Sequence, residues 1–235
     1  WYPDTEKWRV NLSFILLIFA IVGVLKETLP GKKYWLWFAA AFPFIAAWLL
    51  LGGLSLQPVE TSKLGGILLT IIIGVTGISF SLPIGIVLAL GRRSNMPALK
   101  TVCVLFIDFI RGVPLITLLF VASTMLTYFL PPGSTFDLLM RVLIMVTLFS
   151  SAYIAEVVRG GLQGLPPGQY EAADSLGLTY WKAHRLIILP QALKISIPGI
   201  VNTFIGLFKD TTLVLIIGMM DIVGLGRARL NDPYW

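Results

Sequence analysis

The chain has 235 residues, 57% of them hydrophobic and only 13% charged, with a mean hydropathy of +0.86. A soluble domain is about 45–50% apolar and about 25% charged, so this composition excludes an ordinary water-soluble domain and points to lipid as the solvent. The net charge of +6 reads as loop charge that orients a membrane protein rather than as a nucleic-acid surface, the single Cys103 excludes an internal disulfide, and the lone His184, without a second histidine or a thiolate pair, gives no metal site.

Six membrane spans are predicted. Residues 34–59, 64–91 and 112–136 carry no formal charge, and at 1.5 Å of helical rise per residue each run crosses a hydrocarbon core of about 30 Å. The first span, 10–25, is bounded by Arg9 and Lys26; the second, 34–56, opens on an aromatic belt of Tyr34, Trp35 and Trp37. The third, 64–90, carries Gly77, Ser81, Gly85 and Ala89 at a spacing of four, a face of small residues that lets a neighbouring helix approach closely. The fourth, 98–130, is longer than a membrane requires; Asp108, Arg111, Gly112 and Pro114 predict a kink or break near 111–114. The fifth is 138–158, and the sixth, 195–220, has Lys209 and Asp210 near its middle. The start at Trp1, without a signal peptide, and the stop at Trp235 read as a fragment.

Lys26, Lys32 and Lys33, then Arg92, Arg93 and Lys100, then Lys182, Arg185 and Lys194 fall on one side of a six-span topology, whereas 57–62 and 131–137 carry no Lys or Arg. The positive-inside rule makes the basic side cytoplasmic. Lys7 and Arg9, with Arg227 and Arg229, are exceptions on the other side.

Residues 160–194 are far longer than a usual helix connection. Pro166 and Pro167 start a helix, Glu171, Ala172 and Ala173 continue it, and Gly177 ends it in a left-handed cap. A second short helix, 180–189, stops before Pro190. Two short helices at a turn make a cytoplasmic knob suited to a cleft in another protein; an amphipathic helix lying on the bilayer is the other reading.

Glu171-Ala172-Ala173, Gly177 after three residues and Ile187-Ile188-Leu189-Pro190 after nine more match the EAA–G–I-x-L-P pattern, and the chain resembles the permease subunits of ABC importers. The surroundings 109–115, 155–161 and 208–213 resemble the polar amino acid branch, which includes the histidine, glutamine and general L-amino acid permeases. The resemblance covers residues 62–226, the core permease domain being taken as 61–235; residues 1–60 resemble the two extra N-terminal spans of the larger general L-amino acid importers. It implies an all-α, type I ABC importer transmembrane domain in the bacterial inner membrane whose last span lies beyond Trp235. It also implies that this chain binds no cofactor and that ATP-Mg sits on a separate ATPase dimer, in keeping with the lack of a G-x-x-x-x-G-K-[ST] phosphate loop. The implied partners are that dimer, a second permease (identical or homologous), an extracytoplasmic amino-acid-binding protein and lipid, with no nucleic acid. Glu171, Ala172, Ala173, Gly177, Leu189 and Pro190 would couple the ATPase to the pathway through cytoplasmic helices at 163–190: the alanines small for close packing, Gly177 for the turn, Glu171 either to meet the partner or to cap its own helix.

Ionisable residues within spans are costly and so functional or paired. An amino acid is a zwitterion, and its site needs an anion for the ammonium and a cation or helix N-terminus for the carboxylate. Glu156 and Asp210 are the candidates for the first role, Arg159 and Lys209 for the second; an intrahelical Glu156–Arg159 pair is the plain alternative. A secondary transporter or channel would work without ATP and often show an internal repeat, and a membrane enzyme would need convergent catalytic groups. Neither feature is evident in these residues.

Overall fold

The structure is a computed structural model that describes residues 3–26, 30–52, 56–125, 128 and 137–231. Helix α1 (Lys7–Leu25) and helix α2 (Lys32–Leu51) form an antiparallel hairpin, with Gly23 of α1 under the ring of Trp35. The far end of the hairpin is stapled by Arg9, which is only 2% exposed, pairs with Glu6 at 2.7 Å and donates to the Gln57 carbonyl at 2.8 Å. Two exceptions to the charge bias are thereby neutralised locally, since Lys7 pairs with Asp4. Helix α2 ends before the predicted 56, because Gly52 takes φ +80° and the chain folds back so that Val59 N–H donates to the Leu51 carbonyl.

Helix α3 (Gly66–Arg92) and helix α6 (Leu138–Gln163) are the spine. The face of Gly77, Ser81, Gly85 and Ala89 is buried, with Val146 over Gly77 and Ile154 over Gly85. Between lipid-embedded helices association rests on van der Waals packing, which falls off steeply with distance, so small residues at the seam set the strength of the contact. Asp137 caps α6 by accepting from Leu139 N–H at 2.8 Å, and Thr61 donates to its other oxygen.

The predicted break in the fourth span is a full corner. Helix α4 (Pro97–Gly112) and helix α5 (Leu115–Thr124) meet at 99°. Helix α5 runs antiparallel to α6, with Leu118 against Ala152 and the Ser123 carbonyl accepting from Arg141 at 2.8 Å, which turns α4 across the bundle. One side of α4 is buried at Cys103, Ile107 and Ile110, while Val102, Leu105 and Phe109 are exposed.

Helix α7 (Pro167–Ser175) and the short helix α8 (Tyr180–Ala183) follow α6. The second short helix was expected to stop before Pro190, but it does not. Residues His184–Ile188 form a π turn that runs straight into helix α9 (Leu189–Asp210). Pro190 has no N–H and its ring crowds the carbonyl four residues back; widening the preceding turn, with Leu189 N–H bonded to the His184 carbonyl, relieves both without ending the helix. Helix α9 packs along α6, where Ser196 Oγ lies 2.9 Å from the Ala192 carbonyl and 3.2 Å from the Val157 carbonyl, over Gly161. It ends at Asp210 in a 3₁₀ stretch, Thr211–Ile217, followed by helix α10 (Ile222–Leu230). The expected sixth span is therefore a helix continuous from the knob to Asp210 that goes on as the 3₁₀ stretch to Ile217, and Lys209 and Asp210 stand within it where α geometry gives way to 3₁₀. Among the described residues, five helical segments are long and apolar enough to cross a membrane, or six if the α4–α5 pair is one span.

Candidate functional site

The knob is built by local rules. Proline at the start of α7 costs no hydrogen bond. At its end Gly177 takes φ +65°, its N–H donates to the Asp174 carbonyl at 2.9 Å and Leu178 N–H to the Ala173 carbonyl at 3.2 Å. This double closure with a left-handed glycine is a Schellman cap. Ala173 is buried, whereas Glu171, Ala172 and Gly177 face outward. Glu171 makes no capping bond, and its carboxylate has no partner among the described residues. Leu176 and Trp181 are each 71% exposed and Leu186 is 65% exposed, an apolar surface at the basic end of the molecule of the kind that marks contact with a partner or membrane.

The knob is fastened to three long helices. Tyr170 donates to the Leu162 carbonyl of α6 at 3.2 Å, and Arg93 beyond α3 donates to the Tyr170 hydroxyl at 3.0 Å and lies over its ring. Gln191 of α9 donates to Gln169 at 2.8 Å, and His184 stacks on Tyr180 at 3.9 Å. Leu189 and Pro190 stand where the π turn becomes α9, directly before Gln191 in the chain.

Glu156 is the hub of an ion cluster. Arg159 forks onto it at 2.8 and 3.0 Å and donates to Gln163 at 2.9 Å, so the intrahelical pair is present. Arg92 at the end of α3 reaches the same carboxylate at 2.9 Å and also Asp108 at 2.9 Å, and Arg111, stacked on Tyr153, approaches at 3.6 Å. The cluster ties α3, the α4–α5 corner and α6 together at the basic end. Arg92 is the member that sequence reasoning missed, having been counted as loop charge.

Lys209 and Asp210 stand elsewhere. Leu207 and Val146 both meet Gly77, near the middle of α3. Val146 and Glu156 are ten residues apart on α6, about 15 Å of rise. The structure therefore does not bring the two candidate pairs together. Neither Lys209 nor Asp210 makes an ion pair among the described residues, and the hydroxyls of Thr211 and Thr212 bond their own helix, at the Phe208 and Lys209 carbonyls.

The family described as binding-protein-dependent transport system inner membrane component matches residues 81–234. The chain belongs to this family. As a binding-protein-dependent transport component it carries the matched region from the second half of α3 to beyond α10, with α1 and α2 outside it. It is 52% identical over its whole length to the inner membrane amino-acid ABC transporter permease protein YhdY of Escherichia coli (strain K12). It is 46% identical, again over its whole length, to the glutamate/glutamine/aspartate/asparagine transport system permease protein BztC of Rhodobacter capsulatus. The chain spans 64% and 67% of the lengths of these two relatives. Among solved structures, the crystal structure of an amino acid ABC transporter with histidines resembles it with a TM-score of 0.64 and 32% identity, covering 72% of this chain and 78% of that one. The fold is thus that of an ABC importer transmembrane domain, a transporter component of the inner membrane rather than an enzyme.

Proposed function

We propose that this chain forms half of the substrate pathway of an ATP-binding cassette importer for polar or general L-amino acids. The permease alternates access across the inner membrane and is driven by a separate ATPase dimer that holds ATP-Mg. An identical or homologous second permease completes the pathway, and an extracytoplasmic binding protein delivers the amino acid. The observation that carries this reading is the Schellman-capped knob, whose exposed face of Glu171, Ala172 and Gly177 stands between two long helices of the pathway. The names of relatives aligned over the whole chain support amino acids as the cargo. Residues 1–60 are an addition to this machinery, which agrees with a family match that begins at residue 81.

For the zwitterion, Lys209 and Asp210 are the better placed pair. Both stand at the level of the middle of α3 and are free of ion pairs among the described residues, whereas Glu156 and Arg159 are already engaged with each other. Asp210→Asn is expected to raise KM for uptake more than it lowers kcat, and Glu156→Gln to do the reverse.

The central test is ATP hydrolysis by the purified chain with its ATPase in lipid. Hydrolysis should rise when an amino-acid-loaded binding protein is added. Gly177→Pro removes the N–H that closes the cap and imposes a negative φ, so it should abolish the stimulation, whereas Gly177→Asn, which tolerates the left-handed region, should keep most of it. Amino-acid flux through liposomes containing this chain alone, without ATP, would overturn the proposal.

A further inference from the structure

A force applied to the knob moves the long helices only if α7 does not swivel where it stands. Helix α7 is reached from α6 through Gly164 and left through Gly177, and glycine resists backbone rotation least. Of its nine residues Ala173 is buried, Gln169 and Tyr170 are half-buried, and the other six are exposed. Those three residues hold α7 against a load on its outer face. Ala173 does so by packing, and Gln169 by its bond to Gln191 of α9.

Tyr170 reaches two further helices. Its ring packs against the apolar cluster that includes Ala89 of α3, Leu162 of α6 and Ile188 of the π turn. Its hydroxyl donates to the Leu162 carbonyl, in the last turn of α6, where carbonyls have no partner within the helix. A hydroxyl that donates is polarised and accepts more strongly, and what it accepts is the Arg93 N–H at 3.0 Å. The same guanidinium lies over the ring, 5.6 Å from its centroid.

Arg93 is in turn placed by α3. Its backbone N–H donates to the Leu90 carbonyl and that of Ser94 to the Gly91 carbonyl, both at 3.1 Å, so the chain turns tightly and reaches α4 after four residues. Its neighbour Arg92 engages Glu156 of α6 and Asp108 of α4, each at 2.9 Å. Two consecutive arginines at the end of α3 thus join the knob on one side and the α4–α5 corner on the other. Arg93 is exposed, and a contact of this kind adds little to folding stability; what it decides is which helices follow the knob.

We propose that Arg93 is a positioning residue of the transport cycle: acting through Tyr170 it makes the end of α3 follow the knob, and through Arg92 the α4–α5 corner follows α3. The inference rests on the knob being the seat of the ATPase. The test uses the full complex in lipid, titrated with a binding protein loaded from a mixture of L-amino acids, with ATP hydrolysis as the readout. Arg93→Ala should lower the maximal stimulated rate about fivefold, the value of one hydrogen bond. The binding-protein concentration at half-stimulation and the unstimulated rate should not change. Arg93→Lys, which still donates to the hydroxyl, should stay within about twofold of the unsubstituted complex. Tyr170→Phe keeps the ring and loses both hydrogen bonds, so it should match Arg93→Ala, and the double variant should be no slower than either. Full stimulation of Arg93→Ala overturns the proposal, and so do losses that multiply in the double variant. A lowered unstimulated rate in Arg93→Ala also overturns it, because the contact would then serve assembly alone. An unsubstituted complex that the loaded binding protein does not stimulate removes the importer reading itself, and this inference with it.

Discussion

A Cβ placed on Gly85 would sit 2.8 Å from Ile154 Cβ and 3.0 Å from the Ser151 carbonyl oxygen. Neither can yield, since one is branched at the backbone and the other is backbone. Gly85→Val should therefore push α3 and α6 apart and cost about 1–3 kcal/mol or more, seen as a lower thermal midpoint in detergent. Gly177→Ala, which has open space around the new methyl, should cost only the backbone strain of about 1 kcal/mol. Glu156 is a different kind of residue. Its side chain is 14% exposed and it balances Arg92, Arg111 and Arg159. Glu156→Gln leaves those guanidiniums facing one another with Asp108 as the remaining acid in the cluster, an expected loss of about 1–3 kcal/mol, below that for a fully buried pair. The loss should grow at low ionic strength, where repulsion is least screened; thermal midpoints at two salt concentrations check it. The Glu156–Arg159 pair of this cluster was legible, because its members fall at helical spacing. Arg92 was not, since only folding brings a residue 64 positions from Glu156 against it.

At the scale of elements, apolar length and turn chemistry made most helices legible. Gly112 and Pro114 announced a break, but its 99° angle depends on α5 finding a groove beside α6, which no local signal encodes. The cap at Gly177 was legible because a short-range glycine rule governs it. Pro190 misled for the converse reason: a proline read locally is a stop, whereas packing of α9 along α6 through Ser196 and Gly199 holds the helix intact and absorbs the proline in a π turn. Pro190→Ala supplies the missing N–H and lets that turn tighten to α geometry. One residue of register is about 100° of rotation, so Leu186 and Trp181 should turn away from their present direction. The expected outcome is a folded, membrane-inserted chain whose ATP hydrolysis no longer responds to the loaded binding protein.

For the whole molecule, the hairpin α1–α2 touches the spine through few contacts, such as the edge-to-face pair Phe44–Phe80 at 5.7 Å. Removing residues 1–60 uncovers that side of the spine to lipid rather than water, and lipid tails are as apolar as the side chains they replace. A chain beginning at residue 61 should still assemble with the ATPase, which size-exclusion chromatography of the co-expressed subunits would show; failure to assemble would place the hairpin in a subunit interface. Helix α9 has a further consequence for motion. It leaves the knob without a loop and runs 22 residues, about 33 Å, to Asp210, bolted along its near half to α6 where glycines leave no room to slide. Such a rod is a lever with its handle outside the membrane. A tilt of about 10° imposed at the handle sweeps the far tip by about 6 Å over that length, a displacement comparable with the width of an amino acid.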